Sequence, residues 1–479
     1  MNRVLSKNLN HRIKNVGGLT VSRTTTPNNI LIPSKNKAAL STISNNKKNT
    51  THFLVLEENE KHKPNINSFK HIFEPLPISK HISPLKNRII MGSMHSGLEG
   101  NSIPKFISKF LLSSQSDGHA HAHDEDSLND LAYYLSERAS GGVGLIVTGG
   151  ISPNYVGGVG PFASKLSTES EMEQHKVVTS MVHEHDTKIC LQILHAGRYA
   201  MHPFCVSPSA IKSPISPFKP RAMSEKDVQS TISDYINCAV LAKTAGYDGV
   251  EIMGSEGYLI HQFLVTHTNH RTDEYGGTFT NRKRFPLQIV EGIRQAVGED
   301  FMIIFRLSMI DLLDNNAGLS WEEVTELARS LEQSGVHIIN TGIGWHESRI
   351  PTIATSVPRK GWSWVTKKLK DEQVVSIPLC ATNRYNDPYV IEQSLQNGDA
   401  DLISMARPFL ADANFINKIK DDRVDEINTC IGCNQACLDH VFVGKVASCL
   451  VNPRACHEKE LPRTKIPDQR LNIAVVGAG

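Results

Sequence analysis

From residue 85 onward, apolar runs of strand length alternate with amphipathic helical stretches. The strand candidates are RIIMGSM (88–94), GLIVTGG (144–150), KICLQILH (188–195), GVEIMGS (249–255), FMIIFRLS (301–308), VHIINTGIG (336–344), IPLCATN (377–383) and ADLISMAR (400–407). They are nearly continuous apolar runs, the pattern of parallel strands covered on both faces. Between them, Thr168 with Glu171 and Ser320 with Glu323 read as capping boxes. Asp387-Pro388 reads as an N-cap followed by a first-turn proline. Gly246, Gly298, Gly335 and Gly398 stop the preceding helices. Eight such units in series over ~340 residues predict an α/β fold, a closed (β/α)8 TIM barrel. An open doubly wound sheet uses the same units, but their number favours closure.

Three stretches depart from this rhythm. Nine Lys and Arg precede the first acidic residue, Glu57, in a Ser- and Asn-rich setting. Basic and acid-free is how an organellar transit peptide reads, with mitochondria as the expected address; the alternative is a plain Asn/Lys-rich tail. Residues 1–70 are therefore set apart as a leader. Residues 100–127 form an insertion after the first strand and contain HAHAHD (119–124). Alternating histidines can bind metal, but a solvated surface loop is the favoured reading. At the other end, LNIAVVGAG (471–479) is an apolar strand running into Gly-x-Gly, as a dinucleotide-binding fold opens. Residues 467–479 are expected to be the first strand of a truncated FAD/NAD(P)-binding domain. The barrel domain then covers 71–425, and a cysteine-rich segment covers 426–466.

Composition narrows the class. Hydrophobic residues make up 39% and charged residues 21%, with a formal net charge of +2. That balance gives no reason to expect nucleic acid or an anionic membrane as partner. No apolar run reaches the ~18 residues of a membrane span. Nine cysteines are too sparse for a disulfide scaffold, and five of them fall between Cys430 and Cys456.

In a barrel of this kind, chemistry sits at the C-terminal ends of the strands. That rule selects Gln192 and His195 after the third strand, Tyr258 after the fourth, Arg306 in the fifth and His346 after the sixth. Arg384 and Arg407 follow strands seven and eight, where barrels commonly hold a phosphate. Cys430, Cys433, Cys437 and Cys449 have the CxxCxxxC-plus-one spacing that suits an iron–sulfur cluster or zinc. Three close cysteines and a distant one favour a [4Fe–4S] cluster.

Two stretches are more specific still. GSEGYLIHQFLVTHTNHRTDEYGGTFTNRKRF (254–285) and INTCIGCNQACLDHVFVGKVASCLVNPRACHE (427–458) closely resemble the bacterial-type 2,4-dienoyl-CoA reductase (NADPH) family, the flavin and iron–sulfur branch of the old yellow enzymes. The resemblance covers 72–479. It implies FMN in the barrel, one [4Fe–4S] cluster on Cys430, Cys433, Cys437 and Cys449, and FAD and NADPH in a further domain. It implies FMN contacts from Ser93, Met94, His95, Gly150, Gln192 and Arg306, with Arg384, Ala406 and Arg407 at the phosphate. Tyr258 and His346 become the implied proton-donating pair.

The implied reaction passes electrons from NADPH through FAD, cluster and FMN to a 2,4-dienoyl thioester in unsaturated fatty acid oxidation. A phenol with a neighbouring histidine would supply the proton. The sequence departs from the family at the HAHAHD insertion, in lacking the NADPH half, and at His267, where a substrate-gripping Arg is expected. Competing readings are an ene-reductase for other enones, or an amine dehydrogenase like the trimethylamine enzyme. The latter needs an aromatic cage, for which Trp345, Trp362 and Trp364 are available. A barrel kept only as an electron-carrying module is the reading outside enzymology.

Overall fold

Eight parallel strands follow one another along the chain: β1 (Ile89–Met91), β2 (Leu145–Val147), β3 (Lys188–Ile193), β4 (Gly249–Gly254), β5 (Met302–Ile310), β6 (Ile338–Ile343), β7 (Leu379–Ala381) and β8 (Leu402–Met405). Each pairs with the next, and β8 returns to β1 with Ile403 opposite Ile89, so the sheet closes into a barrel. This computed structural model describes residues 69–100, 127–463 and 474. The leader up to residue 68, nearly all of the 100–127 insertion with its histidines, and all but one residue of the 467–479 strand lie outside the described residues.

The strand period of two sorts the apolar residues into two layers. Ile90, Leu145, Met302, Ile338 and Leu402 pack together inside the barrel, with Leu76 and Leu85 of an N-terminal hairpin at one end. Their neighbours Ile89, Ile146, Ile303, Ile339 and Ile403 join the outer core beneath the helices. Further along, the inward positions turn polar, at Gln192, Glu251, Arg306, Asn340 and Ser404. The barrel is thus greasy at one end and hydrogen-bonding at the other.

The outer helices are α1 (Ser127–Ser140), α2 (Glu169–His183), α3 (Glu225–Thr244), α4 (Leu259–Leu264), α5 (Arg284–Val297), α6 (Trp321–Gln333), α7 (Ser363–Asp371), α8 (Pro388–Gln396) and α9 (Arg407–Ala411). Both expected capping boxes form, at Thr168 with Glu171 and Ser320 with Glu323. A third, Ser224 with Asp227, has the shorter acid in the same role. Asp387 caps α8 as expected. Gly246 and Gly335 follow α3 and α6 at φ of 92° and 93°, left-handed values that favour glycine.

Several strands are shorter than their apolar runs. The 88–94 run yields only Ile89–Met91, and the 144–150 run only Leu145–Val147. The remaining residues leave the sheet at its C-terminal rim, where their backbone turns to form the site. The fold also starts slightly before the expected boundary at 70. Phe69 is buried, its ring centroid 5.3 Å from that of Tyr389.

Candidate active site

The C-terminal strand ends surround an open cleft of about 500 Å³. Ser93, Met94 and His95 enter it from the loop after β1, Gln192 from β3 and Arg306 from β5. Arg384, Ala406 and Arg407 line it from the turns after β7 and β8. Tyr258 and His346 complete the wall from the turns after β4 and β6. Gly150 is not on that wall. It lies behind Leu194, whose side chain would stand 2.7 Å from a Cβ at that position.

A buried polar relay orders the floor. Ser93 Oγ donates to Gln192 Oε1 at 2.8 Å, and Gln192 Nε2 donates to Glu251 Oε1 at 2.8 Å. Asn340 Nδ2 donates to the other oxygen of Glu251 at 2.6 Å. His95 Nε2 is buried with no hydrogen-bond partner among the described residues. A buried polar atom without a partner calls for one.

Arg306 Nη2 lies 2.7 Å from Glu256 Oε1. Burial pushes the Glu256 carboxyl up, but Arg306 and then His346 outweigh it and hold it below the ordinary carboxylate value. Burial likewise opposes the Arg306 charge, and Glu256 overrides it. Glu256 sits at φ 61°, a strained conformation for a residue with a side chain.

The Tyr258 and His346 rings meet edge to face with centroids 5.1 Å apart. Tyr199 sets its own ring edge against both, at 5.9 Å and 5.6 Å. Burial, then the Glu256 charge, raises the Tyr258 phenol well above its usual pKa, so it remains protonated. The enclosing walls press the His346 imidazole below its ordinary value, although its ring is open to solvent through the cleft.

Arg384 and Arg407 form a like-charged pair. Arg384 Nε donates to Val357 O at 2.9 Å, and Arg407 Nη2 donates to Ile353 O at 2.6 Å. Burial, then the neighbouring Arg407, lowers the pKa of Arg384. Two guanidiniums held together in this way await an anion.

Cys430, Cys433, Cys437 and Cys449 all line one much smaller cavity, together with Arg407. Cys430, Cys437 and Arg407 also line the large cleft, so the two cavities share a wall. Backbone ties fix the segment there: Asn386 Nδ2 donates to Cys430 O at 2.8 Å, and Ala447 N–H donates to Ser96 O at 2.7 Å. Among the described residues, no three His, Cys, Asp or Glu side chains converge on a single metal ion.

Other expectations change. His195 is fully buried, accepts a hydrogen bond from Gly197 N–H, and is pushed down to about 3 by burial, so it is a neutral core residue. His267 is exposed and absent from the cleft wall. Of the three tryptophans, only Trp345 reaches the cleft, whereas Trp364 on α7 is 51% exposed. Sequence reasoning missed Glu256, Glu251 and Tyr199. Glu256, two residues before Tyr258 and flanked by small residues, was the legible clue.

Comparison with known proteins places these features in context. Residues 109–426 match the NADH:flavin oxidoreductase / NADH oxidase family. A metal reductase of Desulforamulus reducens is 37% identical over 399 residues, covering 82% of this chain and 55% of that protein. A cinnamate reductase of Clostridium sporogenes is 29% identical over 445 residues, covering 86% of this chain and 62% of that protein. Among solved structures, a 2-naphthoyl-CoA reductase in complex with 2-naphthoyl-CoA superposes with a TM-score of 0.73 at 28% identity, covering 81% of this chain and 58% of that one. The chain spans little more than half the length of such relatives.

Proposed function

The chain belongs to the NADH:flavin oxidoreductase / NADH oxidase family, the old yellow enzymes, and from that premise we propose that it reduces a conjugated carbon–carbon double bond, with a 2,4-dienoyl-CoA thioester as the favoured substrate. The observation that carries this reading is the Tyr258–His346 ring pair on the same cleft wall as Arg306 and the Arg384–Arg407 pair.

The residues present fit FMN. The two arginines suit a phosphate, the unpartnered His95 Nε2 and the Gln192 amide suit a polar ring edge, and Arg306 brings a cation to the same wall. The four thiols line one cavity, and their three-plus-one spacing favours a [4Fe–4S] cluster over a single zinc. Bound there, FMN would supply hydride chemistry and the cluster single-electron transfer for re-reduction of the flavin. NADPH as the reductant, through FAD, is part of the same proposal.

The chain's own residues handle the proton. Adding hydride to one end of a conjugated system leaves negative charge spread toward the thioester oxygen, and one proton restores neutrality. Tyr258 Oη keeps its proton at neutral pH because burial disfavours the phenolate. It releases that proton only to a strongly basic site, such as the one the substrate develops. The neutral His346 imidazole beside it has one nitrogen to accept and one to donate, so it can restore the phenol from solvent.

Substrate class is tested by an anaerobic absorption spectrum. Reduced enzyme reoxidised by 2,4-dienoyl-CoA supports the reading. Reoxidation by a free enone alone supports the other ene-reductase reading, and bleaching by an amine would overturn both. Tyr258→Phe should lower turnover by ~10²–10⁴ while sparing flavin reduction.

We also propose that the basic leader, free of acidic residues before Glu57, directs the protein to mitochondria. A fluorescent fusion of residues 1–70 that stays cytosolic would overturn this. No helix among the described residues is long and apolar enough to cross a membrane.

A further inference from the structure

Three rim segments meet beneath the Tyr258–His346 pair: residues 255–258 after β4, Asp311 just past β5, and residues 344–346 after β6. We infer that His261, held between Asp311 and the Gly257 amide, is a positioning residue that sets where Tyr258 presents its phenol. This rests on the reading of Tyr258 as proton donor.

Gly257 N–H donates to His261 Nδ1 at 3.0 Å. A ring nitrogen that accepts carries no proton, so the hydrogen of the neutral imidazole is on Nε2. Nε2 faces Asp311 Oδ1 at 3.1 Å. The approach is off the ideal line, so Nε2 also counts among the buried atoms without a well-aligned partner.

Asp311 is in turn held from several sides. Leu319 N–H donates to Oδ2 at 2.8 Å, and Ser308 Oγ–H donates to Oδ1 at 2.5 Å. Its main-chain oxygen accepts from Trp345 N–H at 2.9 Å. The Trp345 ring lies against the His261 imidazole, with centroids 4.4 Å apart. Tyr258 follows Gly257 directly, and His346 follows Trp345 directly. Gly257, before Tyr258, is thus tied to His261, and Trp345, before His346, is tied to Asp311, so the buried approach of His261 to Asp311 joins the two turns.

Neither His261 nor Asp311 reaches the cleft wall, and each is at most 4% exposed. Their action on the substrate can only be through the backbone they hold. The Gly257 turn has no slack: at φ 88°, a Cβ there would stand 2.4 Å from Tyr199 Oη and 2.7 Å from the Trp345 ring. A shift of about 1 Å in a reacting group can cost ~10²-fold in rate.

Two substitutions separate the contacts. His261→Asn puts an oxygen near the place of Nδ1 and keeps an acceptor for Gly257. His261→Gln reaches toward Asp311 and loses that acceptor. In the flavin-loaded protein, His261→Gln should lower kcat by ~10- to 100-fold with KM nearly unchanged. It should also raise the solvent isotope effect and speed amide exchange across 254–264. His261→Asn, which keeps the acceptor for Gly257 but gives up the reach to Asp311, should lose several-fold less rate and protection than His261→Gln. In the double variant with Tyr258→Phe, His261→Gln should cost nothing further, because the phenol it positions is gone.

Equal losses in the two His261 variants, or additive losses in the double variant, would overturn the inference. If His261→Gln fails to hold flavin, Asp311→Asn is read in the same cycle: non-additivity with Tyr258→Phe supports the clamp, and additivity overturns it. Tyr258→Phe alone keeps the two claims distinct. Normal turnover in that variant removes the donor reading, whereas a slow Tyr258→Phe beside a fast His261→Gln removes only the clamp.

Discussion

Arg306 and Glu256 form an ion pair at 2.7 Å on the wall of the cleft, joining the ends of neighbouring strands β4 and β5. The pair tempers the positive charge that a flavin held there would feel. Reduced flavin carries negative charge on its ring, so a bare Arg306 should stabilise it more.

Glu256→Gln is therefore expected to raise the flavin potential by tens of millivolts, ~30 mV for each ~1.4 kcal/mol in a two-electron couple. Spectroelectrochemical titration measures this. An unchanged or lower potential would show that the cation acts elsewhere.

Arg384 and Arg407 should distinguish flavins by their phosphate. Losing one charge-assisted hydrogen bond of ~1.5–3 kcal/mol weakens binding by ~10- to 100-fold. Arg384→Ala is expected to weaken FMN by that factor and leave riboflavin unaffected in fluorescence titrations of the apoprotein. Equal loss of both ligands would place the phosphate away from Arg384.

The four-cysteine cavity should hold iron independently of the flavin. Cys449→Ser is expected to lose iron and the low-temperature spin signal of the reduced cluster, while FMN content stays near that of the parent. Metal analysis that finds zinc in the parent, or full iron in the variant, would refute the cluster assignment.

Acid should destabilise the fold well before the carboxylates titrate. Burial holds His175 down to about 4, from an ordinary 6.5. Burial and then Arg294 hold His337 to the same value. Unfolded, both histidines bind protons below about pH 6.5, whereas folded they do so only below about 4. Their contribution is thus complete above pH 6.5 and is lost as pH falls toward 4, at up to ~1.4 kcal/mol per pH unit for each buried group. Calorimetry between pH 7.5 and 4.5 should show Tm falling with acid, less steeply in His175→Gln. A flat Tm over that window would contradict the assignment.

Much of the barrel was legible because its signals are local. Strands covered on both faces must be apolar throughout, and capping residues lie within four positions of the groups they satisfy. The strand ends were less legible, because at β1 and β2 the same apolar residues leave the sheet to build the rim. The cysteine spacing pointed to one shared site, and all four thiols do line a single cavity.

Order along the chain was enough for the eight-unit architecture and for the names of the main polar residues that line the cleft. Only folding decided which of them touch. Arg306 meets Glu256 across 50 positions, and His346 meets Tyr258 across 88. His195, singled out at the end of the third strand, is withdrawn from the cleft into the core. Periodicity records which side of its own element a residue occupies. Contact across the mouth depends on how strands distant in sequence are brought side by side by barrel closure, and no local pattern encodes that.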